Sequence, residues 1–207
     1  MKILSREREK GVPIVLCESD TSPECRDAFI GFDNTKVGEQ IAERIMKGPE
    51  PDRLMFLSHK NAAVPTAQTQ RKEAIISKVS EKMPDIVIED AMLEETGIDY
   101  NYAVEKKLLA HKDESVCLVS FSSSNTVQTA QILEHLGLSE NVFFIGFSED
   151  DKAYQYLESG IIDTLVTLDN TTMGKTGMHT LSELINGQTL PSDTIYLDAV
   201  FLEKGNR

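Results

Sequence analysis

The 207 residues contain no tryptophan, three cysteines, four histidines and only 6% aromatic side chains. Cys17, Cys25 and Cys117 have neither metal-ligand nor CxxC spacing. His59, His111, His135 and His179 are scattered, with no pair set at ligand spacing from carboxylates or cysteines. No metal site and no cofactor is therefore expected. Positive charge is also scarce. With 21 basic against 34 acidic residues the net charge is −13, which argues against nucleic-acid contact by this segment, because phosphate binding needs a basic footprint. No stretch approaches the ~18 apolar residues of a membrane span. The first residues, MKILSREREKG, lack the apolar core of a secretory signal. Cys17 and Cys117 lie in apolar runs and are expected as small core residues. Cys25 falls in a loop, where reactive and paired states both stay open.

What is present is organised around Gly11 to Asn34, GVPIVLCESDTSPECRDAFIGFDN. It holds two short apolar runs, Val12–Cys17 and Ala28–Phe32, each ending in carboxylates: Glu18 and Asp20, then Asp33. Runs of four to six apolar residues bounded by turn chemistry read as strands buried on both faces, which suits a parallel sheet. The intervening loop, Ser19–Arg26, carries Pro23 against helix formation.

The rest of the chain alternates in the same manner. Ser5–Lys10 reads as the last turns of a helix stopped by Gly11. A helix from Thr35 to Met46 follows the second strand, and KGPEPD forms a turn. Strand Arg53–Ser58 leads to helix Thr66–Met83, strand Ile86–Met92 to helix Tyr100–His111, and strand Val116–Phe121 to helix Asn125–Leu136. Strand Val142–Phe147 leads to helix Asp150–Ser159, and strand Ile162–Leu168 to helix Thr172–Asn186. A last strand, Thr194–Leu202, has the looser alternation of a sheet edge. The pattern predicts an α/β fold of parallel, doubly wound sheets.

Open sheets of this kind bind ligands at the carboxyl ends of their strands. Those ends carry Glu18-Ser19-Asp20, Asp33-Asn34, Ser58-His59-Lys60-Asn61, Ser122-Ser123-Ser124-Asn125, Ser148-Glu149-Asp150 and Asp169-Asn170. Taken singly, such residues are also ordinary helix caps, with Ser124 or Asn125, Ser148 and Asp169 the best candidates. His59 reads either as a solvated loop residue or as a ligand contact. The chemistry on offer is neutral hydrogen bonding more than acid–base or nucleophilic work, with the hydroxyls and amides of Ser122–Asn125 suited to polyol or amide ligands. No nucleophile–base pair or dinucleotide fingerprint supports an enzyme. GKT within Met173–Gly177 is not a phosphate loop, since the glycine required five residues before Gly174 is Asp169. It reads instead as a helix start with small residues for close packing.

Three stretches resemble the type I periplasmic binding proteins and the related ligand domains of LacI-type repressors. GVPIVLCESD is similar to the family's GIPVV-x-x-D segment, and RDAFIGFDNTKVGEQIAERI to its YIGTDN-x-x-x-G stretch. NVFFIGFSEDDKAYQYLESGIIDTLVTLDNTTMGKTGMHTLSELINGQTLP is similar to its GFD…T-V…MG…L-x-G-x-x-P tail. The resemblance implies two α/β lobes joined by three strands and closing on a small ligand, commonly a sugar. It implies a C-terminal lobe of residues 34–168 with 196–207. Residues 1–33 with 169–195 are implied to be a remnant of the N-terminal lobe, lacking its first part and exposed, swapped or paired with another chain. By the same resemblance Glu18, Ser19, Thr69, Ser123, Ser124, Ser148 and Asn170 line the ligand cleft, with His59 as a further contact. Here Glu18-Ser19 stands where Asp-Arg or Asp-Ser is common, Thr69 where Asn or Arg is, Ser123-Ser124 for Asn-Asp, and Ser148 for the GFD aspartate. Arg71 matches a nearby structural arginine.

The expected function is small polar-solute binding, sugar-like, in an ABC-transporter solute-binding protein or an extracytoplasmic sensor that closes by a hinge. A membrane permease or sensor kinase would be its partner, and a dimer through the truncated lobe is the expected assembly. The alternative is the effector domain of a LacI-type regulator, which would be cytoplasmic. FIGFDN, and Lys47-Gly48-Pro49 in place of Gly-His-Arg, favour the first reading.

Overall fold

The structure, a computed structural model, describes residues 2–59, 66–93 and 98–205. The contacts divide the chain into two units: residues 1–34 with 168–199, and residues 35–167 with 200–207.

In the first unit α1 (Lys2–Glu9) precedes β1 (Val15–Cys17) and β2 (Ala28–Phe32), while α7 (Asn170–Ile185) precedes β8 (Thr194–Leu197). The three strands form a parallel sheet in the order β1-β2-β8. All five residues of central β2 are buried, whereas β1 and β8 are edges. β1 is shorter than its apolar run because its first residues bond elsewhere. The Val12 N–H donates to Glu7 O of α1, Pro13 has no N–H, and the Ile14 N–H donates to the Asp27 carboxylate at 2.8 Å. Its edge position also overturns the expectation for Cys17, which is exposed. Cys25 is buried, its Sγ 3.1 Å from Ser5 Oγ, and Cys117 is buried as expected. Pro23 does not keep the Ser19–Arg26 loop irregular: it opens a short 3-10 turn, Pro23–Cys25, where its missing N–H costs nothing. α7 packs on β1 and β2. A Cβ at Gly177 would come within 2.8 Å of Cys17 Sγ, whereas one at Gly174 would meet nothing within 4 Å, so of the two glycines Gly177 serves close packing.

The second unit contains α2 (Asn34–Lys47), β3 (Arg53–His59), α3 (Thr66–Lys82), β4 (Val87–Leu93), α4 (Ile98–Ala110), β5 (Val116–Ser120), α5 (Ser123–Leu136), β6 (Val142–Phe147), α6 (Asp151–Ser159), β7 (Thr164–Thr167) and β9 (Val200–Glu203). Its sheet runs β4-β3-β5-β6-β7-β9. Five strands are parallel and β9 is antiparallel to β7. Period-2 alternation sends Met55, Leu57, Leu118, Phe144 and Leu165 to one face, where they pack with Tyr100, Val104 and Leu108 of α4, Leu133 of α5 and Leu157 of α6. α3 covers the other face, its Arg71 guanidinium lying 4.9 Å from the Phe147 ring centroid and its Lys72 amine 5.7 Å from that of Phe56. Helices on both faces explain why β5 is buried throughout.

Two strand readings change. β7 starts at Thr164 rather than Ile162, because the Ile161 and Ile162 N–H groups donate to Tyr156 O and fold the chain back on the end of α6. Thr194–Leu202 is two strands in two sheets, β8 with β2 in the first unit and β9 with β7 in the second.

Candidate functional site

In the second unit β3 is followed by β4 on one side and β5 is added on the other, so strand order reverses between β3 and β5. The helices that follow two such strands leave in opposite directions and open a crevice at the strands' carboxyl ends. At β3 this point is His59, whose side chain lies outside the described residues. At β5 it is Phe121 and the serine run that starts α5.

The serines are joined across elements. Ser123 Oγ, on the first residue of α5, lies 2.7 Å from Ser148 Oγ just beyond β6. Ser148 is buried and accepts from the Asp150 N–H at 3.0 Å, so its own hydrogen is available to Ser123. Ser122 and Ser124 form a second hydroxyl pair at 3.1 Å. Under them Thr126, fully buried, has its Oγ1 2.9 Å from Ser122 O, 3.1 Å from Phe147 O and 3.2 Å from Ser120 Oγ, stitching α5 to the ends of β5 and β6. The contact needs a glycine opposite: a Cβ at Gly146 would meet Thr126 Cγ2 at 2.2 Å. Beside the hydroxyls Phe121 stacks on Phe56 with centroids 6.1 Å apart and meets Phe147 at 5.5 Å. The result is a rim of paired, uncharged hydroxyls at a helix N-terminus, next to an aromatic floor with buried Arg71 over Phe147.

The capping expectations are corrected in part. α5 starts at Ser123, with Ser122 and not Ser124 or Asn125 in the cap position. Asp150 rather than Ser148 caps α6 by accepting from the Lys152 N–H. Asp169 caps α7 as expected, and its bonds to the Thr172 hydroxyl and N–H hold its carboxyl below the usual carboxylate range. Thr69 is half-buried in the first turn of α3.

In the first unit Glu18 and Ser19 end β1, and Asn170 opens α7. Glu18 has φ +67°, the one positive value among the described non-glycine residues. The Ser19 N–H donates to Cys17 O at 2.8 Å across it, closing a three-residue turn, while the Glu18 N–H donates to Ile30 O of β2 at 2.9 Å. A turn of that form with positive φ is rare and strained, costing on the order of 1–3 kcal/mol. Its carboxylate is exposed and makes no hydrogen bond or ion pair among the described residues.

The expected residues thus fall into two groups. Thr69, Ser123, Ser124 and Ser148 belong to the second unit, and bonding there joins Ser123 to Ser148 and Ser124 to Ser122. Glu18, Ser19 and Asn170 belong to the first. Phe121 and Ser122 were absent from the expected set, although Phe121 directly precedes the serine run and was the available signal. Among the described residues no three His, Cys, Asp or Glu side chains gather as a metal ion requires, and no helix is long and apolar enough to cross a membrane.

A family profile described as periplasmic binding protein domain matches residues 2–189. Solved structures with the same fold include a solute-binding protein of an ABC transporter from Burkholderia graminis in complex with D-arabinose, at TM-score 0.88 and 19% identity, covering 99% of this chain and 71% of that one. A protein from Bacteroides fragilis assigned as a LacI transcriptional regulator superposes at TM-score 0.87 with 18% identity over 98% of this chain and 70% of that one. A solute-binding protein from Agrobacterium vitis with bound D-fucose does so at TM-score 0.80 with 18% identity, over 98% and 70%. With its alternating α/β order, its parallel doubly wound sheets and a profile match over most of its length, the chain belongs to the periplasmic binding protein family, whose members bind solutes and are not enzymes.

Proposed function

We propose that the chain is the small-molecule binding domain of an ABC-transporter solute-binding protein or of an extracytoplasmic sensor, and that its ligand is an uncharged, sugar-like solute. The observation that carries this reading is the paired-hydroxyl rim, Ser122–Ser124 with Ser148, beside Phe121 at the switch point of the second unit's sheet. Hydroxyls that both donate and accept match a polyol, and an aromatic face matches the apolar side of a sugar ring. D-arabinose in the B. graminis protein and D-fucose in the A. vitis protein support the ligand class. In this reading the two units are the family's two lobes. Glu18, Ser19 and Asn170 act from one, and Thr69, Ser123, Ser124, Ser148 and His59 from the other, with closure by a hinge coupled to binding.

Titration calorimetry of the full chain with D-arabinose, D-fucose and other neutral monosaccharides tests the reading. Binding of one of them, lost in Ser123→Ala/Ser124→Ala, is the expected result, and no heat with any member of the panel would overturn it. A permease or a sensor kinase is the proposed partner. The likeness to the B. fragilis protein favours a second reading, the effector domain of a LacI-type regulator. Tight binding of a phosphorylated sugar in preference to a free one would shift the choice to it.

The first unit supports self-association. It has two sheet edges and exposes Ile3, Val12, Met178, Ile185 and Tyr196, and unpaired strands with apolar margins recruit partners. Light scattering at increasing concentration should show a dimer, and a monomer at all concentrations would remove this element of the proposal.

A further inference from the structure

The first unit contains an ion pair between a buried arginine and an exposed aspartate that the solute reading does not use. Arg26 is 4% exposed. Its Nε donates to Asp20 Oδ1 at 2.5 Å and its Nη2 to Asp20 Oδ2 at 2.9 Å, a two-pronged grip. Its Nη1 donates to Asp193 O at 2.8 Å and its Nη2 reaches Thr194 Oγ1 at 3.3 Å. The guanidinium lies 5.7 Å from the Phe29 ring centroid, and Asp193 Oδ2 stands 3.7 Å from Nη1. One side chain therefore ties the loop after β1 to the residues that begin β8, across β2.

Asp20 is two residues beyond Glu18, the centre of the strained turn. The turn is held on its other side by the Glu18 N–H on Ile30 O. Glycine at position 18 would relieve the steric strain of the positive φ, yet the position carries an exposed carboxylate with no protein partner among the described residues. A backbone outlier kept in place by surrounding bonds points to function rather than to stability. Buried arginine with a forked grip is suited to this, because lysine keeps the charge and loses the geometry.

We propose that Arg26, acting through Asp20, is a positioning residue: it locks the turn that presents Glu18 and Ser19 to the solute, so that the first unit's rim is organised before binding. The proposal rests on the solute reading. Pre-organisation raises the fraction of molecules competent to bind, and apparent affinity falls in proportion when that fraction falls.

The test uses the full chain, calorimetry with D-arabinose and D-fucose, and amide hydrogen exchange of the sugar-free protein. Arg26→Lys should weaken binding about tenfold and speed exchange at Glu18 and Ser19, the two hydrogen-bonded amides of the turn, by a similar factor, leaving β5 and β6 exchange at wild-type rates. Asp20→Asn, which keeps the shape of the acceptor, should do the same and stands in if Arg26→Lys does not fold. Glu18→Gly should raise the melting temperature and still weaken binding, a combination that a purely structural turn would not produce. Wild-type affinity in both Arg26→Lys and Asp20→Asn would overturn the positioning role and leave the solute reading intact. Absence of binding by the wild type would remove both together.

Discussion

The two ends of the second unit's sheet are built from opposite chemistry. At the amino end Arg53, which opens β3, donates from Nη1 to Glu89 Oε2 at 3.1 Å and from Nε to Glu114 Oε2 at 2.9 Å. Lys107 of α4 bonds Glu89, and His111 Nδ1 lies 3.0 Å from Glu114 Oε1. At the carboxyl end the contacts of α5 with the ends of β5 and β6 are hydroxyl to hydroxyl and hydroxyl to carbonyl. Ionic groups can be used freely where the sheet only has to be held together. A rim that receives a neutral solute instead needs donors and acceptors that do not carry a desolvation penalty of several kcal/mol when water leaves.

The largest effect should come from breaking the ionic end. Arg53 and Glu89 side chains are 15% and 18% exposed; Arg53→Ala removes one of the two cationic partners of Glu89, Lys107 remaining, and should cost about 2–3 kcal/mol by urea denaturation, with sugar affinity unchanged. The pH profile sharpens this point. Burial opposes ionisation of Glu89, but Lys107, Arg53 and His111 hold its carboxyl below the ordinary range, and Arg53 does the same for Glu114. Depressed carboxylates give stability that is complete above their unfolded pKa of about 4.3 and is lost as pH falls through the folded values. Arg53→Ala should therefore flatten the acid limb of the stability curve.

At the neutral end Thr126→Val keeps the shape but leaves Phe147 O and Ser120 Oγ short of a partner. A loss of about 2 kcal/mol is expected, together with weaker sugar binding as the serine run loosens. Asp163, half-buried between the two ends, behaves oppositely to the ionic cluster. Burial pushes its carboxyl up to about 6 against the Phe144 N–H that it accepts at 2.7 Å. A raised pKa means that its contribution is full below about 3.8 and lost as pH rises through about 6. Asp163→Asn should thus leave stability at pH 4 near wild type and raise it at pH 8 by about 1–2 kcal/mol, a figure reduced for partial solvent exposure. The smallest effect on the sugar-free protein is expected from Ser123→Ala with Ser148→Ala, under about 1 kcal/mol, although sugar-induced thermal stabilisation should disappear. A large loss of stability with unchanged sugar binding would make these hydroxyls part of the frame and erase the contrast.

Much of the fold was legible because its signals are local. Ala28–Phe32 and Val142–Phe147 are continuous apolar runs, and both form strands with those bounds. Pairing was less legible. Thr194–Leu202 reads as one strand because nothing in its residues says that β8 and β9 take partners in different sheets. Cys17 reads as core because its neighbours in sequence are apolar, yet an edge strand with one partner leaves it exposed. In the candidate site, serine runs after strands could be read directly, whereas the Ser123–Ser148 contact joins residues separated by 25 positions.

The order of strands and helices and the hydrogen-bonding residues gathered at the strand ends could be read from the chain alone. These follow from periodicity, spacing and residue type, which act over a few positions. The reversal of strand order between β3 and β5, the strained turn at Glu18 and the grip of Arg26 on Asp20, Asp193 and Thr194 come only with the fold. Hydrogen bonds and burial between distant residues exist only once the chain has folded, so no local pattern encodes them.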